Sequence, residues 1–477
     1  MHRRLRLVRL ARPLLALVAF GCTASTSEIT GTGPDPSTFE PVPLSINREV
    51  DLLFVVDDSG SMRQEQAALA GGFERFIEGL EDGDGQLPGL HIGVVSSNVG
   101  TGEVPSGGEA CLGEGDDGLL QVPAGCAALT DGSRFIRDVA GSAGEREVNY
   151  AGALAEQFSC MAQLGTAGCG FEQHFESMRR ALGEQALNAG FLRPEASLAV
   201  LFVADEDDCS VSDPQLFDPS QDDRASELGE LSSFRCFEFG VECAPVGGGE
   251  REIGPRTDCV PEDGSRYLES VSSYVQFLRG LKSDPEKVFV STITGDPGPV
   301  VVMENPDITP AELMVAPTCT ICPGGAGSGC STLEALVSAA PAIRMQALVD
   351  AFGAAGHWQD ICAYDPATDA LDFGAALAGV AGNLAPRIAT PCLDVTPLDT
   401  DASASGNQAA CELVELAGGA EVAIPACEVS TGARPCFRLR DNPDQCPTTQ
   451  LALAIDRAAP APAGATLSLR CALPAAP

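Results

Sequence analysis

Lysine is almost missing from this chain: Lys282 and Lys287 are the only two among 477 residues. Basic residues number 29 against 67 acids, a formal charge of −38. A surface of that sign repels nucleic-acid phosphates and anionic headgroups and attracts divalent cations, which excludes nucleic acid as a partner. Histidine is as scarce: of four, His2 lies in the leader, leaving His91, His174 and His357. His91 opens a strand and reads as structural. His174 reads as a surface helix residue rather than a partner contact. No Gly-x-Ser-x-Gly elbow joins a strand to a helix, so nucleophilic catalysis finds little support and the chain reads as a non-enzyme. Aromatics make up 5%, whereas glycine (52) and proline (34) are plentiful, so much of the chain is turn and loop.

Cysteine is abundant, at 19, an odd number. Arg3, Arg4, Arg6, Arg9 and Arg12 precede a short apolar stretch, 14–21, too short to span a bilayer. It ends Ala19-Phe20-Gly21-Cys22, which resembles a bacterial lipobox. The resemblance implies a lipoprotein signal peptide over 1–21, lipidation of Cys22, and anchoring in the bacterial cell envelope, inner or outer membrane. Plain signal-peptidase cleavage nearby is the alternative. Residues 22–43, rich in Ser, Thr, Pro, Gly and acids, read as a flexible tether. Export leaves Cys111, Cys126, Cys160, Cys169, Cys209, Cys236, Cys243, Cys259, Cys319, Cys322, Cys330, Cys362, Cys392, Cys411, Cys427, Cys436, Cys446 and Cys471 in an oxidising space, as structural disulfides. Connectivity stays open; the local pairs Cys111–Cys126 and Cys160–Cys169 are expected from spacing. Cys319-Thr-Ile-Cys322 has redox spacing, but Pro323-Gly-Gly is no helix start. Zinc at Cys319, Cys322 and Cys330 suits an oxidising space equally poorly.

Residues 51–62 read Asp-Leu-Leu-Phe-Val-Val-Asp-Asp-Ser-Gly-Ser-Met. Five apolar residues entering acids and hydroxyls fit a buried parallel strand that ends in a polar loop. Ligands bind at such strand ends in open α/β sheets. The spacing of Asp57, Ser59 and Ser61 gathers oxygen side chains of low charge, which suits Mg²⁺. This stretch resembles the metal-ion-dependent adhesion site, MIDAS, of von Willebrand factor type A (VWA) domains, Met62 included. An ordinary strand-to-helix turn capped by Ser59 is the bland alternative.

The next strong apolar run, 197–204, ends in Asp205-Glu-Asp-Asp208. The resemblance assigns Asp205 to complete the metal site, although Glu206 stands where the family usually has glycine. It implies that Ser59 and Ser61 bind Mg²⁺ (or Mn²⁺) directly, that Asp57 and Asp205 act largely through water, and that an open position accepts a carboxylate from a protein partner. The family's threonine is not where the helix start predicts it; Thr166 and Glu172 are the two candidates for the fifth ligand. A Ca²⁺ site at Asp205, Asp207 and Asp208 is weighed against a solvated acidic loop, and the loop is preferred.

Periodicity predicts helices over 61–81 (weakened by Gly71 and Gly72), 145–164, 171–185, 266–281, 333–352 and 373–384, and strands over 90–96, 134–140 and 288–294. The resemblance makes 134–140 the antiparallel edge strand. The fold class is α/β: a doubly wound, mostly parallel sheet flanked by helices, VWA- or Rossmann-like. The VWA-like domain covers 44–390, with a disulfide-tied insertion at about 206–265 and a loop at 295–330. Residues 391–477 read as a small disulfide-rich β module. The function expected is metal-dependent binding of a protein partner at the envelope. A structural or interaction protein with a degenerate metal site, and then a metal-assisted hydrolase, are the alternatives.

Overall fold

The computed structural model describes residues 38–474, apart from 47, 82–85, 107, 142–144, 184, 245–250, 307, 322–336, 366, 368–369, 389–390, 402, 404–407, 418–419, 429–433, 442–445, 447 and 459–465. Cys22, Cys322 and Cys330 lie outside the described residues. No helix among those described is long and apolar enough to cross a membrane.

A seven-stranded sheet organises the larger part of the chain. Its order is Gly356–Asp360, Val288–Thr294, Ser197–Val203, Glu49–Val56, Gly89–Ser96, Ile136–Ala140 and Arg146–Val148. The first five pair in parallel, Ile136–Ala140 runs antiparallel to them and Arg146–Val148 antiparallel to it in turn, so the sheet is mixed. Apolar runs buried on both faces explain the parallel strands: Val50 to Val56 are all buried. Helices α1 (Arg63–Leu80), α2 (Leu154–Met161) and α7 (Gly374–Ile388) cover one face. There Phe54 meets Phe73, Phe76 and Phe158. Helices α3 (His174–Gly183), α5 (Val271–Gly280) and α6 (Ile343–Ala351) cover the other, around Phe175, Tyr274 and Leu348.

Several expectations need correction. Residues 145–164 do not form one helix: Arg146–Val148 is a strand, and it takes the sheet edge that 134–140 was expected to hold. The 333–352 run splits into the strand Val337–Ala339 and α6, with Pro341 between them, a residue that disfavours helix before it. Gly71 and Gly72 do not break α1. A Cβ on Gly72 would lie 2.9 Å from Leu377 Cδ1 and 3.0 Å from the Gly374 nitrogen, so this glycine lets α1 and α7 approach closely.

The expected insertion and the expected loop form one structure. The hairpin Val241–Ala244 and Gly254–Pro261 pairs onward with Val300–Glu304 and Leu313–Val315 in a four-stranded antiparallel sheet. Thus the segment 295–330 is not merely loop. A short helix, α4 (Phe234–Gly240), precedes the hairpin.

The local cysteine pairs are overturned. Cys111 bonds Cys169 and Cys126 bonds Cys160, so the two bridges join the long 97–133 loop to residues around α2. Spacing along the chain was misleading because the sheet brings distant loops together. The other bridges among the described residues are Cys209–Cys236, Cys243–Cys259, Cys319–Cys362, Cys392–Cys446, Cys411–Cys471 and Cys427–Cys436. Cys319 is therefore held by Cys362, which removes the redox and zinc readings of Cys319-Thr-Ile-Cys322.

The C-terminal module consists of two four-stranded antiparallel sheets that share a core of Val42, Leu393, Leu413, Phe437, Leu453 and Leu469. Two strands from before the seven-stranded sheet complete it. Glu40–Val42 pairs with Thr466–Cys471, and Leu44–Ile46 pairs with Pro391–Leu393. Residues read as the end of the tether and the start of the VWA-like domain thus belong to the module.

A buried charge network closes the foot of the sheet, at the strand ends opposite Asp57. Asp51, fully buried in the central strand, accepts from the Arg193 backbone N–H and its Nε, each at 2.7 Å, and lies 3.5 Å from Lys282. Lys282 donates to the Arg193 carbonyl and Lys287 to the Glu195 carbonyl. Both lysines are buried, at 4% and 1% exposure.

Candidate functional site

The central strand carries its ladder one residue past its end: the Asp57 N–H donates to the Val203 carbonyl at 3.0 Å. This fixes Asp57 at the boundary between sheet and loop. Its Oδ1 accepts the Ser59 N–H at 2.7 Å, the turn that aspartate favours two residues before a bend. Ser59 Oγ and Ser61 Oγ stand 3.2 Å apart. The strand Ser197–Val203 lies alongside and delivers Asp205 from its own end, with Ser61 hydrogen-bonded to the Asp205 carboxyl. The structure therefore brings Asp57, Ser59, Ser61 and Asp205 to one strand-end cluster.

Two oxygens there make no hydrogen bond: Asp57 Oδ2 and Asp205 Oδ1 are buried without one, although His174 Nε2 stands 3.4 Å from the first. A buried unsatisfied carboxylate oxygen is costly and calls for a missing ion or water. Crowding of like charge points the same way. Burial first, then Asp57, Glu206 and Glu65, hold the Asp205 carboxyl well above the ordinary range. Glu65, in the first turn of α1, is pushed to about 7, chiefly by burial, and its Oε2 has no partner. Asp58 is also pushed to about 7, by burial and then by Asp57 and Asp116. A divalent cation would relieve this repulsion, and hydroxyl and carboxylate oxygens are the donors that Mg²⁺, Mn²⁺ or Ca²⁺ take. The residues present fit such an ion.

Among the described residues, the compact cluster of His, Cys, Asp or Glu donors with metal-site spacing is Cys319, Asp360 and Cys362, and its sulfurs are joined in a disulfide. The strand-end carboxylates do not converge to that degree. Wider spacing suits an ion bonded directly by hydroxyls and reached by aspartates through water.

The fifth position separates its two candidates. Thr166 is half-buried on the loop between α2 and α3, and no hydrogen bond joins it to the other four. Glu172, buried, lines the same cavity as Ser61 and Asp205. Its carboxyl is hydrogen-bonded to that of Glu206, which burial and then Asp57 raise to about 7. Burial, Glu206 and Asp57 raise Glu172 well above its usual value.

Asp207 and Asp208 are not part of a solvated loop. Asp207 accepts the Arg344 and Met345 N–H groups at the start of α6. Asp208 is buried; it accepts the Phe175 N–H at 2.9 Å and pairs with the buried Arg344 at 3.1 Å. With their oxygens so committed, these two are structural, and the Ca²⁺ alternative loses its ligands.

Two residues escaped the sequence reading. Gln66 of α1 donates to the Asp57 carbonyl at 2.8 Å and to the Gly165 carbonyl at 2.9 Å, and accepts the Gly165 N–H at 3.1 Å. It clamps the Thr166 loop against the motif. Its position four residues after Met62, on the helix face toward the strand end, was the available signal. His174 is no surface residue. It is fully buried, with Nε2 paired to Asp57 Oδ2 at 3.4 Å and Nδ1 without a hydrogen bond. Burial pushes its pKa down, but Asp57, Asp208 and Asp207 outweigh this and leave it raised.

Neither a family model nor a curated protein matches the sequence. Similar solved structures include a von Willebrand factor type A protein from Catenulispora acidiphila, at 12% identity and TM-score 0.28, covering 92% of this chain and 66% of that one. The pilus adhesin SpaC from Lactobacillus rhamnosus GG matches at 11% and 0.26, over 89% of this chain and 39% of its own. The pilus adhesin RrgA from Streptococcus pneumoniae matches at 8% and 0.27, over 91% and 57%. The chain thus spans less than two thirds of the length of each. At such identities and TM-scores the functional reading has to come from the topology of the sheet and the geometry at Asp57 and Asp205.

Proposed function

We propose that this chain is an extracytoplasmic interaction protein that binds a protein partner through a divalent cation at a MIDAS-type site. The observation that carries this is the pair of buried carboxylate oxygens without a hydrogen bond, Asp57 Oδ2 (faced only by His174 Nε2 at 3.4 Å) and Asp205 Oδ1, on adjacent strand ends beside the touching hydroxyls of Ser59 and Ser61. Mg²⁺ or Mn²⁺ held there supplies an electrophilic centre able to take a carboxylate from the partner. Ser59 and Ser61 offer neutral ligands, Asp57 and Asp205 balance the charge, and Gln66 with His174 holds the frame. Glu172 is the better-placed fifth residue, and its charge would temper affinity for an anionic partner. Lipid attachment at Cys22 would hold the domain at the cell envelope, and the many disulfides suit an oxidising compartment. A binding role rather than an enzymatic one is part of this proposal; His91 is engaged by the Phe191 carbonyl and His357 by Gln359.

The test is titration of Mn²⁺ and Mg²⁺ into the disulfide-intact protein by calorimetry, beside Asp57→Ala and Asp205→Ala. Saturable binding in the parent, abolished in both variants whose folds are intact, is expected. A folded parent that takes up neither ion, even with a glutamate-bearing peptide present, would reject the metal site.

A further inference from the structure

Beside Ser61 and Asp205 lies a cavity of about 190 Å³ whose walls differ in chemistry. One wall is the acidic strand end, with Ser61, Glu172, Asp205 and Glu206; the other is apolar, with Phe234 and Phe237 of α4 and Met314 of the insertion sheet. No part of the apolar wall comes from the metal motif. It comes from two segments more than seventy residues apart in sequence, 234–240 and 313–315, joined in one insertion.

That wall is fastened in place. The Cys209–Cys236 bridge ties α4 to the loop that follows Asp205. Arg235, fully buried, donates to the carbonyls of Leu216, Gly229 and Glu230. The Glu230 carboxylate in turn accepts the Leu313 N–H at 2.9 Å, which locks the second segment to the first. The Phe234 and Phe237 rings pack at 5.6 Å. An insertion held by a bridge, a buried guanidinium and a strand contact is a rigid wall.

An apolar cavity of roughly 150 Å³ is large enough to hold a benzene ring. The cavity here therefore has room for one ring-sized or branched aliphatic group next to the cation. Its acidic wall repels a bare carboxylate, so such a ligand needs the cation for its charged end and the apolar wall for the rest.

We propose that this pocket selects carboxylate ligands that carry an apolar group two or three bonds from the carboxyl, with Phe234, Phe237 and Met314 as the selecting wall. The proposal rests on the metal-site reading above and adds what the ligand must look like. Burying a phenyl group is worth about a factor of ten or more in affinity.

The test compares 3-phenylpropanoate with acetate on the full, disulfide-bonded chain. Bound Mn²⁺ is read by electron paramagnetic resonance and carboxylate binding by calorimetry. Expected are Mn²⁺-dependent binding of 3-phenylpropanoate at least tenfold tighter than acetate, and a ratio that falls to within about twofold in Phe237→Ala and in Met314→Ala while both variants still bind Mn²⁺. Mn²⁺ bound normally with the two carboxylates equivalent would overturn the selecting wall and leave the metal site standing. Tight binding of 3-phenylpropanoate without Mn²⁺ would also overturn the proposal. A free-Mn²⁺ signal left undiminished by the parent would overturn the metal site and this proposal with it.

Discussion

The four acidic residues 205–208 do three different jobs within one turn of chain. Asp205 faces the strand-end cluster with a bare oxygen, and Glu206 shares a hydrogen bond with Glu172. Asp207 and Asp208 hold the starts of α6 and α3. Asp208 is also the counter-charge of Arg344, whose side chain is buried and whose one terminal nitrogen already lacks a partner. Removing it strands a guanidinium in the interior, a change that costs about 3–5 kcal/mol. Asp208→Ala is therefore expected to lower the unfolding free energy by roughly that amount in urea titration. A loss below about 1 kcal/mol would mean that Arg344 finds other partners, and would remove Asp208 from the structural group.

Elements were legible to the extent that their signal was local. The runs 197–204 and 288–294 match strands to within a residue, because a buried strand must be apolar throughout. The turn at 57–59 was equally plain, since Asp57 accepts the Ser59 N–H within its own segment. What was hidden depended on contacts distant in sequence. The bridges Cys111–Cys169 and Cys126–Cys160 cross between loops that only the sheet juxtaposes, and the 206–265 insertion merges with the 295–330 segment through strand pairing that no local pattern announces. His174 looked like a surface position because its burial comes from packing against the Asp57 strand end. Gly72 is the opposite case, a residue whose local reading weakened a helix that is in fact continuous. Its lack of a side chain lets α1 meet α7. Gly72→Ala gains helix propensity but wedges that contact, and overpacking of this kind costs about 1–3 kcal/mol. A lower melting temperature is expected; an unchanged or higher one would show that Leu377 yields without cost.

Across the whole molecule, four buried acids near the strand ends set the response to pH. Asp58, Glu65 and Glu206, each pushed to about 7, and Asp207, pushed to about 6, hold protons in the folded chain that they release in the unfolded one at their ordinary values of 3.8 and 4.5. Stability from these groups is full below the ordinary values and is lost as pH rises through 6 to 7. Chelator-treated protein is expected to melt higher at about pH 5 than at about pH 8, with Mn²⁺ narrowing the gap by supplying the missing positive charge. A melting temperature in chelator that climbs from pH 5 to pH 8 would contradict this. At the other end of the sheet, the two lysines are turned inward onto the Arg193 and Glu195 carbonyls. The outer surface thus offers no free ε-amine from any lysine of the chain. Acylating esters, aldehyde fixatives and enzymes that join proteins through lysine side chains have nothing of that kind to attack while the domain stays folded. Covalent capture or display of the native molecule has to use groups other than lysine amines, such as its abundant carboxylates, and any ε-amine labelling that does occur reports that the foot of the sheet has opened.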